Sequence, residues 1–230
     1  MRILKYFIID FKSWIKSKRI KKIEDKFPGA EYNGKILPKS LGLDQTRYNG
    51  YEPCNPSLLK ILKQIVVPKN SAIIDIGCGK GFAMFLLSQF SFSRVDGIEL
   101  SPALALLAQN NLSICGIRDD FFHIFCCNAV NFDDWDHYSH AFLYNPLKED
   151  TLQLIISSIS RSLDRYPRQF TVIYFNPVFK SVFETSNIFP FSKNFQRCTI
   201  YSTGKIELIH GANTKFFCNI RKAVNLHRFH

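Results

Sequence analysis

The apolar run Ser71-Ala-Ile-Ile-Asp-Ile76 leads without a break into Gly77-Cys78-Gly79-Lys80-Gly81, and then into the apolar stretch Phe82 to Phe90. A short apolar run suits a buried strand of a parallel sheet. The stretch after the glycines reads as a helix. Strand, glycine turn and helix in that order open a doubly wound α/β nucleotide-binding fold. Glycine is needed because the turn is tight and a ligand must approach the backbone with no Cβ in the way.

The glycine spacing separates the ligand classes. A dinucleotide fingerprint requires G-x-G-x-x-G, but position 82 is Phe82. A phosphate-binding P-loop requires G-x-x-x-x-G-K-[ST], which is absent. The run is Asp75-x-Gly77-x-Gly79-x-Gly81, with Cys78 inside it. It resembles motif I of the class I S-adenosylmethionine (SAM) methyltransferases. That resemblance implies a mostly parallel, Rossmann-like seven-stranded sheet closed by an antiparallel pair, with SAM as cofactor.

A second strand, Arg94 to Leu100, ends in Glu99, 22 residues beyond Gly77. A carboxylate there accepts hydrogen bonds from ribose hydroxyls, and the resemblance implies that Glu99 binds the SAM ribose. Ser101 and Pro102 supply an N-cap and an N1 proline for a helix expected over Pro102 to Asn111. A third strand is expected over Phe121 to Cys127. By resemblance, Asn128 and Ala129 then stand where the family places an acidic and a small residue against the adenine. An amide oxygen can accept from the adenine amine as a carboxylate would.

The fourth strand, His140 to Tyr144, runs into Asn145-Pro146-Leu147. Tyr144-Asn145-Pro146-Leu147 resembles in part the (Asp/Asn)-Pro-Pro-(Tyr/Phe) motif of enzymes that methylate amide and amino nitrogens. The resemblance implies a catalytic group of Tyr144, Asn145 and Pro146, whose oxygens would accept the amine hydrogens and aim the lone pair at the methyl. Leu147 replaces the second proline, and a plain strand-ending Asn-Pro turn is the alternative. Tyr51-Glu-Pro53 and Phe142-Leu-Tyr-Asn-Pro146 are similar to a bacterial group distantly similar to the non-SET histone-lysine methyltransferases. A helix over Glu149 to Leu163 and a fifth strand, Thr171 to Phe175, follow. The closing antiparallel pair is expected from Cys198–Ser202, Lys205–His210 and Lys215–Ile220.

The chain has 230 residues, 46% hydrophobic and 21% charged, enough for a full core. Disorder and collagen are excluded. Seven scattered cysteines without a C-x-x-C suit free thiols in a reducing compartment and give no metal-ligand spacing. Asp133, Asp134, Asp136, His137 and His140 read as a polar loop, because no ligand spacing recurs among them. No stretch is long and apolar enough to span a bilayer, and no cleavage site follows the first residues. A cytoplasmic location is expected.

Three regions are expected: a basic amphipathic helix over 1–26, a loop or lid over 27–56, and a SAM-dependent methyltransferase domain over 57–230. Residues 1–26 hold nine basic and three acidic residues, so +6 of the net +11 lies there. On a helical wheel Ile3, Leu4, Phe7, Ile8, Phe11, Trp14 and Ile15 share an arc of roughly 140°. That stripe either packs on the domain or lies in a membrane interface, drawn through residues 1–22 to anionic headgroups at the inner membrane surface. A nucleic-acid partner is not favoured, since over half the charge sits in this segment. The acceptor stays open between a protein lysine, a small molecule and an envelope or lipid-linked precursor. A non-catalytic SAM-binding protein is the remaining alternative.

Overall fold

A computed structural model describes residues 2–209, with side chains from Ser13 onward. The run Lys215–Ile220, His210 and Cys218 lie outside the described residues. The helices are α1 (Arg2–Glu24), α2 (Leu58–Leu62), α3 (Phe82–Leu87), α4 (Pro102–Ile114), α5 (Glu149–Arg165) and α6 (Lys180–Glu184). The strands are β1 (Ala72–Ile76), β2 (Arg94–Glu99), β3 (Ile124–Cys126), β4 (His140–Leu143), β5 (Thr171–Phe175), β6 (Phe191–Phe195) and β7 (Cys198–Ser202). They form one seven-stranded sheet in the order β3-β2-β1-β4-β5-β7-β6. The first five strands run parallel, β7 is antiparallel to β5, and β6 is antiparallel to β7.

Period-two alternation divides the inner strands between two cores. Ile73, Phe142, Ile173 and Phe175 face α2, α3 and the end of α1. Ile74, Ala141, Leu143, Val172 and Tyr174 face α5, α6 and the aromatic loop around Trp135. The order reverses between β1 and β4, because the chain winds outward to β3 before returning. Open α/β sheets form their ligand crevice at that reversal, beyond the carboxyl ends of the strands.

Several expectations are corrected. The closing pair takes Cys198–Ser202 as expected, but its partner is Phe191–Phe195, upstream rather than downstream. Lys205–Ile209 contributes only a single bridge, Leu208 to Ile65. The third strand shrinks to Ile124–Cys126, α3 stops at Leu87, and α4 runs on to Ile114. Ser101 stands at the N-cap of α4 with Pro102 behind it, but its side chain makes no capping bond. Its backbone N–H goes instead to Glu99 Oε1, at 2.8 Å.

The domain does not set α1 aside. Lys16 and Ile20 are buried, and Ile23 packs against the core. Trp14 stays 56% exposed, with Lys18 Nζ 5.6 Å from its ring. At 100° per residue, Trp14 points roughly 160° away from Lys16. The packed face is thus not the face of the apolar stripe. The stripe residues Ile3, Leu4, Phe7, Ile8 and Phe11 have side chains outside the described set.

Residues 27–56 form a strap across the carboxyl end of the sheet. Tyr32 and Asn33 donate backbone N–H groups to Glu24 Oε1, both at 2.8 Å. Asn111, buried in α4, bridges Glu31 N, Glu31 O and the carbonyl of Lys80. Lys80, buried within the glycine turn, ion-pairs with Glu31 and donates to Asn33 O at 3.2 Å. Lys16 does the same further along, pairing with Glu52 and donating to Pro53 O at 3.1 Å. Two buried lysines therefore fasten the strap on either side of Tyr51, and each buried charge is paired.

Candidate functional site

A cleft of about 90 Å³ lies at the sheet reversal. Its floor is Asp75, Gly77, Cys78, Gly79 and Glu99, one wall is Asn128 and Ala129, another is Tyr144 and Pro146, and the strap residues Tyr48 to Cys54 cover it. Of the eleven residues singled out from the sequence, nine line this cleft. Gly81 and Asn145 do not.

All three turn glycines have positive φ, at 73°, 57° and 80° for Gly77, Gly79 and Gly81. Protein atoms also stand where the Cβ atoms of these glycines would be. A Cβ at Gly77 would lie 2.6 Å from Pro146 Cβ. One at Gly79 would lie 2.4 Å from the Tyr51 ring. One at Gly81 would meet Ala108 of α4 at 3.2 Å, so Gly81 serves helix packing and faces away from the cleft. In β2, Gly97 leaves room for Cys78 Sγ and Met84 Sδ, a need the sequence did not announce.

Glu99 ends β2 and reaches back to the turn. Its Oε2 accepts from Gly79 N and its Oε1 from Ser101 N, both at 2.8 Å. Each oxygen keeps a second lone pair. Burial pushes the Glu99 pKa up, and backbone N–H donors only partly offset it. Asp75 is buried at the end of β1, and its Oδ2 has no hydrogen-bond partner. Burial and then the Glu99 charge push the Asp75 pKa well above the carboxylate range. Among the described residues, no cation pairs with either acid. Two such carboxylates side by side are costly unless a cation or a donor-rich ligand joins them.

Asn128 caps the turn after β3. Its Oδ1 accepts from Val130 N at 3.1 Å and its Nδ2 donates to Tyr48 OH at 2.9 Å.

The end of β4 departs most from expectation. Asn145, at φ +48°, turns out of the cleft into a neighbouring cavity of about 290 Å³. Its Oδ1 accepts from Tyr174 OH at 3.2 Å, and its carbonyl accepts from Asn49 Nδ2 at 2.7 Å. Pro146 O accepts from Asn49 N at 2.9 Å. The oxygens expected to orient an amine thus each accept one hydrogen bond within the protein and keep a second lone pair. The Tyr144 phenol is half-buried and its pKa is raised by burial and then by Glu52, so it stays a hydroxyl.

The second cavity shares Asn49, Gly50, Tyr51, Glu52 and Tyr144 with the cleft, and adds Lys35 to Pro38, Asn145 and Asn176. Asn176, at φ +53°, ends β5 as Asn145 ends β4, and each is followed by a proline. Asparagine tolerates this backbone better than other non-glycine residues. The sequence carried that signal as two aromatic-Asn-Pro endings, Tyr144-Asn-Pro and Phe175-Asn-Pro. The strap lining was missed because its ties span long sequence distances.

The polar cluster before β4 does not join the site. Asp136 accepts from Ser162 at 2.5 Å and pairs with Arg165, and His140 is buried, its pKa lowered by burial to about 4.

No family model matches the chain. Over 72 residues it is 29% identical to the curated "putative protein N5-glutamine methyltransferase" of Methanocaldococcus jannaschii, covering 31% of this chain and 36% of that protein. The chain thus spans about a third of the length of the curated relative it matches. The structure of a "putative O-methyltransferase" from Nostoc punctiforme PCC 73102 aligns at TM-score 0.52 and 15% identity, over 64% of this chain and 55% of that one. A ribosomal protein L11 methylase from Lactobacillus delbrueckii subsp. bulgaricus aligns at TM-score 0.48 and 15% identity, over 67% and 77%. With strand order β3-β2-β1-β4-β5-β7-β6 and an antiparallel β7, the chain has the class I, Rossmann-like seven-stranded fold of the SAM-dependent methyltransferases.

Proposed function

We propose that the protein is a SAM-dependent methyltransferase, transferring a methyl group from S-adenosylmethionine to a nitrogen or oxygen of an acceptor. The observation that carries this is the pair of buried acidic side chains, Asp75 and Glu99, with no cation partner among the described residues, at the glycine turn where the strand order reverses. The orphaned Asp75 Oδ2 fits a ligand with N–H or O–H donors and positive charge, and SAM has both. Glu99 would take the ribose hydroxyls with its remaining lone pairs. Cys78, Gly77 and Gly79 would frame the ligand, with Asn128 and Ala129 beside the adenine. SAM supplies a methyl on a sulfonium, already activated for in-line displacement, so the protein's contribution is positioning and exclusion of water.

A nucleoside-sized ligand needs on the order of 300 Å³, more than the cleft of about 90 Å³ offers. On this reading Tyr51 shifts from its seat over Gly79 as the ligand enters, and residues 27–56 act as a lid. Titration calorimetry with SAM should register binding that strengthens as pH rises, because both carboxylates have raised pKa values and ionise late. Labelled SAM incubated with fractionated cell extract should then mark one chemical class. No binding would overturn the reading, and tight binding with no labelled product would favour a non-catalytic SAM-binding protein.

One observation supports a second reading, in which the enzyme works at a membrane surface on an envelope or lipid-linked precursor. Trp14 and Lys18 lie on the exposed side of α1, and residues 1–26 carry +6. Tryptophan beside lysine suits an interface rich in anionic headgroups. Deleting residues 1–26 would strip Lys16 and Ile20 from the core, so the test uses Trp14→Ser with Lys18→Glu. Wild type should co-sediment with vesicles of anionic phospholipid and the variant should lose most of that binding. Equal sedimentation of the two would remove the membrane.

A further inference from the structure

We infer that Tyr48, a strap residue outside every expected motif, recognises the base of the methyl donor. Its hydroxyl donates a hydrogen bond to a ring nitrogen flanking the adenine amine, N1 or N7, while Asn128 Oδ1 accepts from that amine. This rests on the reading of the cleft as the methyl-donor site.

Backbone pairing puts Tyr48 in place. Asn49 N donates to Pro146 O and Lys148 N donates to Arg47 O, both at 2.9 Å. Between those bonds Tyr48 and Leu147 stand opposite each other as an antiparallel bridge. Side chains of such a non-hydrogen-bonded pair lie closest together, and Tyr48 and Leu147 both line the cleft. Tyr48 N, left outside the ladder, donates to Asp44 O at 2.9 Å. The Tyr48 ring is thus seated from the end of β4, not from the contact of Tyr51 with Gly79.

A count of hydrogens then fixes the direction of each bond. Val130 N can only donate, so the Asn128 atom 3.1 Å from it is the oxygen, and the amide cannot be turned round. Asn128 Nδ2 therefore faces the Tyr48 hydroxyl at 2.9 Å. An amide nitrogen donates, so the hydroxyl oxygen accepts and its own hydrogen points elsewhere. Among the described residues that hydrogen has no acceptor. The pair shows the cleft an acceptor, the second lone pair of Asn128 Oδ1, beside a donor, the Tyr48 phenol. Adenine presents the complement, an amine N–H beside a bare ring nitrogen. A carboxylate at position 128, which the resemblance leads one to expect, would have drawn the phenol hydrogen onto itself. The asparagine instead donates to the phenol and so strengthens it as a donor toward the ligand.

The probes are S-adenosylhomocysteine, which is the demethylated donor, and its 1-deaza and 7-deaza analogues, each with one flanking nitrogen replaced by C–H. Calorimetry on the full chain reads their affinities, with no turnover required. Wild type should bind one of the two analogues about fivefold more weakly than the parent. Tyr48→Phe should bind the parent about fivefold more weakly, bind that analogue as wild type does, and so lose the preference. The 3-deaza analogue keeps both flanking nitrogens and should follow the parent in both proteins. Asn128→Asp is the second variant. Its added oxygen takes the phenol hydrogen while the tie to Tyr48 survives, so the preference should vanish there as well. A hydroxyl that merely pins the strap would weaken every compound alike in Tyr48→Phe, and that result would overturn the assignment. Wild type that binds both analogues as tightly as the parent, Tyr48→Phe that binds the parent as wild type does, or Asn128→Asp that keeps the full preference would overturn it too. Wild type that binds none of the compounds would strike the donor reading itself.

Discussion

Glu99→Ala is expected to weaken SAM binding by about 100-fold or more. Hydrogen bonds to a charged group contribute about 1.5–3 kcal/mol each, and two ribose hydroxyls would lose theirs together. The same carboxylate also holds Gly79 N and Ser101 N at 2.8 Å. The substitution should therefore lower folding stability too, by about 2 kcal/mol, as two buried donors lose their partner. Titration calorimetry measures the first effect and urea unfolding the second. Glu99→Gln keeps the volume and one good acceptor, so it should recover much of the stability while affinity stays low. An alanine variant that binds SAM as wild type does would sink the cleft as a donor site.

Gly79→Ala carries the second large effect, and the reason is a neighbour rather than a ligand. The added methyl would lie 2.4 and 2.7 Å from two carbons of the Tyr51 ring, on a backbone at φ +57°. Left-handed backbone costs about 1–2 kcal/mol for an alanine, and overpacking adds about 1–3 kcal/mol. A destabilisation of about 3 kcal/mol is expected in urea unfolding. Tyr51→Ala removes the obstructing ring, at its own cost in lost packing. The double variant should be more stable than the sum of the two single costs by at least about 1 kcal/mol. Gly34→Ala is the control: φ is +99° there with nothing within 4 Å of the added methyl, so only backbone strain should appear. Strict additivity of Gly79→Ala and Tyr51→Ala would mean that the ring does not rest on the turn.

Much of the sheet was legible because burial on both faces writes itself as an unbroken apolar run. Ala141 to Leu143 and Val172 to Phe175 are of this kind, Ile73 to Ile76 is broken only by Asp75, and each became a strand within a residue or so of expectation. Phe191–Phe195 was not legible for the opposite reason. Its residues Ser192, Lys193 and Asn194 are exposed, and its pairing with β7 follows from position at the sheet edge. The turn joining them, Gln196-Arg197, has no glycine to announce it. Asp75, Gly77, Gly79 and Glu99 were legible as a group because spacing along two adjacent strands fixes where they meet. The partners of Asn145 were not legible, since Tyr174 and Asn49 lie 29 and 96 residues away. Contacts of that range leave no local pattern. The same holds for the strap, whose fastenings Lys16–Glu52 and Lys80–Glu31 join residues 36 and 49 positions apart.

The glycine turn touches three parts of the chain at once: Pro146 beyond β4 at Gly77, Tyr51 of the strap at Gly79, and Ala108 of α4 at Gly81. A displacement of a few tenths of an ångström in this short loop cannot be absorbed locally, because close-packed interiors transmit strain rather than dissipate it. Whatever settles on the turn is thus announced at once to the strap overhead and to the mouth of the neighbouring cavity. Such a junction favours an obligatory sequence of arrivals, in which the first guest shapes the doorway through which the second must pass.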